Sequence, residues 1–118
     1  VAGVLVAQPY SFTVHNDYYP FTPSLAHAFI QQVAEEYKVD ANKLEKTLKC
    51  ESTLRPNAIG DNGHSLGIAQ INMPSHPDVT PQEAFNPYWA IEWTAKEFSN
   101  GYARHWTCAR HLGFVTDG

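Results

Sequence analysis

Apolar positions begin to recur at helical spacing from residue 23 onward. Phe29, Val33 and Tyr37 repeat at four, with Leu25, Ala26 and Ile30 on the same broad stripe, which predicts an amphipathic helix. Thr22-Pro23 opens it, with proline at a first-turn position where its missing N–H is harmless. Asp40 predicts the N-cap of a second helix, Ala41 to about Leu54, stopped by Pro56. The periodicity then fades. Residues 57–79 carry Gly60, Asp61-Asn62-Gly63, Gly67, Pro74 and Pro77 and read mostly as loop, with Asp-Asn-Gly suited to turning a small hairpin. Thr80-Pro-Gln-Glu83 is a capping-box signature for a short helix. Asn86-Pro87 starts another, running to about Asn100 with Gly101 as its stop and Tyr88, Ile91, Ala95 and Phe98 as its apolar stripe. A last short helix is expected around Ala103–Leu112. Residues 1–22, aromatic and irregular from residue 8, form an expected N-terminal arm ahead of a domain over 23–118. The pattern predicts a small, mainly α domain with a long, structured central loop or small hairpin.

Composition narrows the function classes. With 118 residues, 43% of them apolar and 13% aromatic, the chain can build one packed core. Charged residues make up only 17%, which excludes a disordered polyelectrolyte and a long coiled coil. The net charge of −4 and the lack of a basic face argue against nucleic acid as a partner. Lys38, Lys43, Lys46 and Lys49 alternate with Glu35, Glu36, Asp40 and Glu45 and read as a solvated mixed face. No apolar run reaches the roughly eighteen residues of a membrane span, so no stable membrane insertion of this domain is expected. The apolar start, Val1 to Ala7, is either the tail of a trimmed export or anchor segment or an N-terminal strand. A monomer is expected.

One residue breaks the pattern. Leu44, Leu48 and Glu51 stand at i, i+4 and i+7, so a carboxylate continues the face that should meet the core. Such a group is either a paired glutamate at a helix end or a carboxyl held in an apolar cleft, where desolvation raises its pKa and keeps a proton available for donation. The C-terminal end of the helix dipole pushes the same way. The two cysteines, Cys50 and Cys108, are either small buried hydrophobes or, in an oxidising compartment, the ends of a long closed loop worth roughly 4 kcal/mol at most. His105, Cys108 and His111 stand three apart, with Cys50 as the candidate fourth ligand, but the set matches no zinc pattern. There is no His-Glu-x-x-His pair and no glycine-rich phosphate loop, so neither a metal nor a cofactor is expected.

The segment that follows Glu51 sharpens these alternatives. Glu51-Ser52, then Pro56 and Ala58, then Ser65-x-Gly67, then Gln70-Ile71-Asn72 form an ordered set that resembles the catalytic core of the lytic transglycosylases of the soluble type. These share the lysozyme-like fold. The resemblance is dense from Glu51 to Asn72 and looser from about Pro23 to Arg110, where Asn86-Pro87 also looks like the family. The chain departs from the pattern in three places. Ala69 stands where the family usually has methionine, and the interval from Glu51 to Gln70 is about one residue longer. Asn100-Gly-Tyr-Ala-Arg-His-Trp-Thr-Cys108 replaces the late Tyr-Asn-Ala-Gly motif.

The resemblance implies an α+β lysozyme-like domain, lining a glycan cleft, that cuts the muramic acid–glucosamine link of peptidoglycan and leaves an anhydromuramoyl end. It implies Glu51 as the single general acid and base. Gln70 would hydrogen-bond the sugar or hold the cleft, and Ser65 would lie beside the stabilising acetamido or C6 region. Ser52 would anchor the loop, and Gly67 would permit close backbone approach. Tyr102 and Trp106, after the Gly101 stop, are the expected sugar-stacking pair, whereas Tyr88, Trp89 and Trp93 are expected in the core. The implied partner is the glycan strand, and the implied location is outside the cytoplasm, secreted, periplasmic or wall-associated. There a Cys50–Cys108 bridge is expected to tie the catalytic helix to the C-terminal segment. The neighbouring alternatives are a glycoside hydrolase, which needs a second carboxylate from Asp61 or Asp78, and a catalytically idle glycan-binding module.

Overall fold

The computed structural model describes residues 21–115; apart from Phe21 and Thr22, the expected arm 1–22 with its apolar start lies outside the described residues. Helix α1 spans Pro23–Tyr37, and the Thr22 hydroxyl accepts the Leu25 N–H at 3.1 Å, satisfying one of the open donors of the first turn. Left-handed Lys38 ends it. Asp40 then caps α2, Ala41–Ser52, by accepting the Lys43 N–H at 3.0 Å. Short α3 (Pro81–Phe85) carries both arms of the Thr80/Glu83 capping box, and Asn86 caps α4, Pro87–Ser99. The final helix, α5, spans Thr107–His111.

The core lies where the predicted stripes meet. Phe29, Ile30 and Val33 of α1 pack with Leu44 and Leu48 of α2 and with Tyr88, Ile91 and Ala95 of α4. Phe29 and Phe21 both set their rings edge-on to Tyr88, at 5.1 and 5.5 Å. Each fully buried Leu or Ile of this set contributes about 1.5–3 kcal/mol.

The central segment holds a three-stranded antiparallel sheet in the order β1 (Ile59–Gly60), β2 (Ser65–Leu66), β3 (Ile71–Asn72). Gly60 pairs with Ser65 and Ser65 with Asn72. The expected hairpin forms at Asp-Asn-Gly, where Asp61 and Asn62 take left-handed φ values of 51° and 57°. The third strand was not expected. Its two residues are too few to show alternation.

Two predicted boundaries need correction. Helix α2 stops at Ser52, not near Leu54, and both Thr53 and Leu54 are left-handed, with φ of 54° and 61°. The cause is tertiary: the buried Ser52 hydroxyl donates to Ile68 O at 2.7 Å and accepts the Arg55 N–H at 3.2 Å, which turns the chain before Pro56 can. The last helix is also not continuous. A 3₁₀ turn at Ala103–His105 and α5 are separated by Trp106 in extended geometry. The Trp106 indole N–H donates to Ala69 O at 3.0 Å, and that bond holds the ring inward at the break.

Candidate active site

Glu51 occupies the last turn of α2, one residue before its end, so its stripe runs from fully buried Leu44 and Leu48 to a half-buried carboxyl. That carboxyl opens into a cleft of about 120 Å³, whose other walls come from the sheet, α4 and the C-terminal segment. Glu51 Oε2 accepts the Cys108 backbone N–H at 3.2 Å. Burial is the main influence on its proton affinity and raises the pKa above the ordinary carboxylate range. The Cys108 N–H opposes this, the Asp61 carboxylate reinforces it and the Arg110 guanidinium opposes it, with a net upward shift. The outcome is a carboxyl that keeps its proton to higher pH than a solvated glutamate.

Of the residues implied by the resemblance, Ser65, Gln70 and Trp106 share this cleft with Glu51, and Tyr102 does not. Ser65 is 3% exposed, and its hydroxyl donates to Asp61 Oδ2 at 2.5 Å, so it orients that carboxylate. Gln70 spends its amide on the wall: Nε2 donates to Gly67 O at 2.9 Å and to Ala58 O at 3.2 Å. Its carbonyl fills the space beside Gly60, where a Cβ would stand 2.3 Å from Oε1. Trp106 is 6% exposed and contributes an edge of the wall, not an open stacking face. Tyr102 is exposed, stacked on His105 at 5.1 Å and 10°, with the Arg104 guanidinium over its ring at 5.7 Å. His105 is the member of that stack that reaches the cleft.

Ser52 anchors the loop after α2, as its bond to Ile68 O requires. Gly67, with φ of +83°, meets a backbone of the protein itself: a Cβ there would lie 1.9 Å from Ala84 O of α3. Cys50 and Cys108 form a disulfide, which leaves no thiol for the alternative His/Cys metal set. Among the described residues no cluster of His, Cys, Asp and Glu suited to a metal ion occurs.

Several cleft residues escaped the sequence reading. Trp93 is half-buried and lines the cleft, in a chain of rings that runs from His76 (5.0 Å) through Trp93 to Trp106 (5.8 Å). His76, His105 and Thr107 also line it. In the sequence His105 reads only as a metal ligand with Cys108 and His111, and its place beside Trp106 was the signal for the cleft; His76 had none. Asp61, weighed as a turn residue or a second carboxylate, lines the cleft, whereas Asp78 does not.

A larger groove of about 410 Å³, lined by Phe21, Lys49, Leu54, Arg55 and Pro56 among others, holds neither a carboxyl group nor an imidazole. Compared with known proteins, the chain matches no family model, no curated protein and no solved structure.

Proposed function

We propose that the chain is a peptidoglycan lytic transglycosylase with a lysozyme-like fold, acting outside the cytoplasm on glycan strands. The observation that carries this is the Glu51 carboxyl, whose proton affinity is raised by burial at the end of α2 in a polar cleft. Support also comes from the ordered set Glu51-Ser52, Ser65-x-Gly67 and Gln70-Ile71-Asn72, of which Glu51, Ser65, Gln70, Ile71 and Asn72 share that cleft. The disulfide supports the extracytoplasmic setting.

In this mechanism protonated Glu51 donates to the glycosidic oxygen as the anomeric C–O bond breaks. The muramoyl C6 hydroxyl then attacks the anomeric carbon, and Glu51, now carboxylate, takes the proton from that hydroxyl. The nucleophile belongs to the same sugar, so its effective concentration is high and no activated water is consumed. Ser65 and Gln70 support the wall, while His105 and the edge of Trp106 offer the sugar-facing surface.

A second reading is favoured by one observation: Asp61 lies in the same cleft with its carboxylate held by Ser65. A hydrolase would use that carboxylate as its second acid–base or nucleophilic group. Mass spectrometry of digested sacculi separates the two. Anhydromuramoyl ends are expected, reducing ends indicate hydrolysis, and no release points to an idle binding module. Glu51→Gln is expected to abolish release while glycan binding persists. Asp61→Asn is expected to retain most transglycosylase activity and would eliminate a hydrolase.

A further inference from the structure

Glu51 is covalently next to Cys50, and its carboxylate oxygen accepts the amide N–H of Cys108, the other end of the same disulfide. Five-residue α5, which carries Cys108, is too short to be stable alone. It is fastened by the bridge to α2 and by the Trp106 indole bond to Ala69 O. We propose that the Cys50–Cys108 disulfide is a positioning device for Glu51, clamping α5 on α2 so that the Cys108 N–H stays on the carboxyl oxygen. Only the catalytic consequence rests on the glycan-cleaving role of Glu51; the clamp itself does not.

The groups around Glu51 divide in an informative way. Both influences that favour its charged form, the Cys108 N–H and the Arg110 guanidinium, arrive on α5, the element that the disulfide tethers. The Asp61 carboxylate, which disfavours the charge, arrives on the β1–β2 turn and is held there by Ser65. His76, after β3, and His105, in the 3₁₀ turn, line the same cleft and do not depend on the bridge for their chain connection. Cutting the tether therefore releases the stabilising donors selectively. The Trp106 bond to Ala69 O does not run through the bridge, so the wall beside the carboxyl is expected to stay in place. The amide also selects one carboxyl rotamer, and proton transfer depends on that orientation.

The test is the titration of Glu51 by carboxyl carbon NMR in the intact chain and in Cys50→Ala/Cys108→Ala. An upward shift of about half a pH unit or more is expected, the size appropriate to a lost hydrogen bond to the charged form. The alkaline limb of the pH–rate profile on sacculi is expected to move with it. No shift, with lowered thermal stability, makes the bridge merely structural and overturns the proposal. A downward shift overturns it too, since the bridge would then serve to keep water out. If the double variant does not fold, the wild type is titrated at low temperature after an excess dithiol has reduced the bridge to two thiols, forming its own cyclic disulfide. The same shift, reversed on reoxidation, is expected there. Failure to cleave glycan would sink the proposed function and leave the titration to decide the clamp.

Discussion

Replacing Gly67 by alanine isolates a single backbone contact. At φ of +83° an L-residue pays roughly 1–2 kcal/mol for left-handed geometry. The new Cβ would also stand 1.9 Å from Ala84 O and 2.9 Å from Ala84 C, both backbone atoms that cannot rotate away. Either α3 moves or the β2 end of the sheet does, at an overpacking cost of about 1–3 kcal/mol. The sum is about 2–5 kcal/mol. Gly101 supplies the control, because its φ is +87° and a Cβ there meets nothing within 4 Å. Gly101→Ala should therefore show only the conformational part. Both variants gain alike from a stiffer unfolded chain, so that contribution cancels in the comparison. At about 4 °C per kcal/mol, thermal unfolding should fall by roughly 8–20 °C for Gly67→Ala and about 4–8 °C for Gly101→Ala. Equal losses in the two variants would refute the close approach of Gly67 to α3.

Glu51→Gln is expected to melt higher than the wild type at pH 7, because it removes a charge that burial disfavours. The folded pKa lies above the unfolded value, so the wild type loses stability as pH rises through that folded pKa; the gap should close below about pH 4. A gap that does not change with pH would contradict this. Trp106→Phe removes the donor to buried Ala69 O and should cost about 1–3 kcal/mol, read from urea unfolding. Thr80→Ala breaks the capping box of α3 and should cost about 1 kcal/mol in the same assay; no change would mean that α3 is held by packing alone.

The helices were legible because their signals are local. Thr22-Pro23, Asp40, the Thr80/Glu83 box and Asn86-Pro87 each satisfy open N–H groups within three residues, and all four starts lie where the sequence places them. The stripe that carries Glu51 followed from the 3.6-residue period, and its position at the rim of the core followed from that stripe. The early end of α2, the third strand and the break at Trp106 were not legible. Each depends on a bond between distant residues: Ser52 with Ile68, Ser65 opposite Asn72, Trp106 with Ala69. The same limit applies to side-chain roles. A glutamine or a serine in a motif can face a ligand or the protein, and only packing decides; here Gln70 and Ser65 turn their polar atoms to the wall and to Asp61. Local hydrogen bonding and periodicity thus determined which helices form and that a carboxyl would lie on the core-facing stripe. Tertiary structure decided which groups surround that carboxyl, because its proton affinity depends on burial and on charges brought together across the chain, from Asp61 to Arg110.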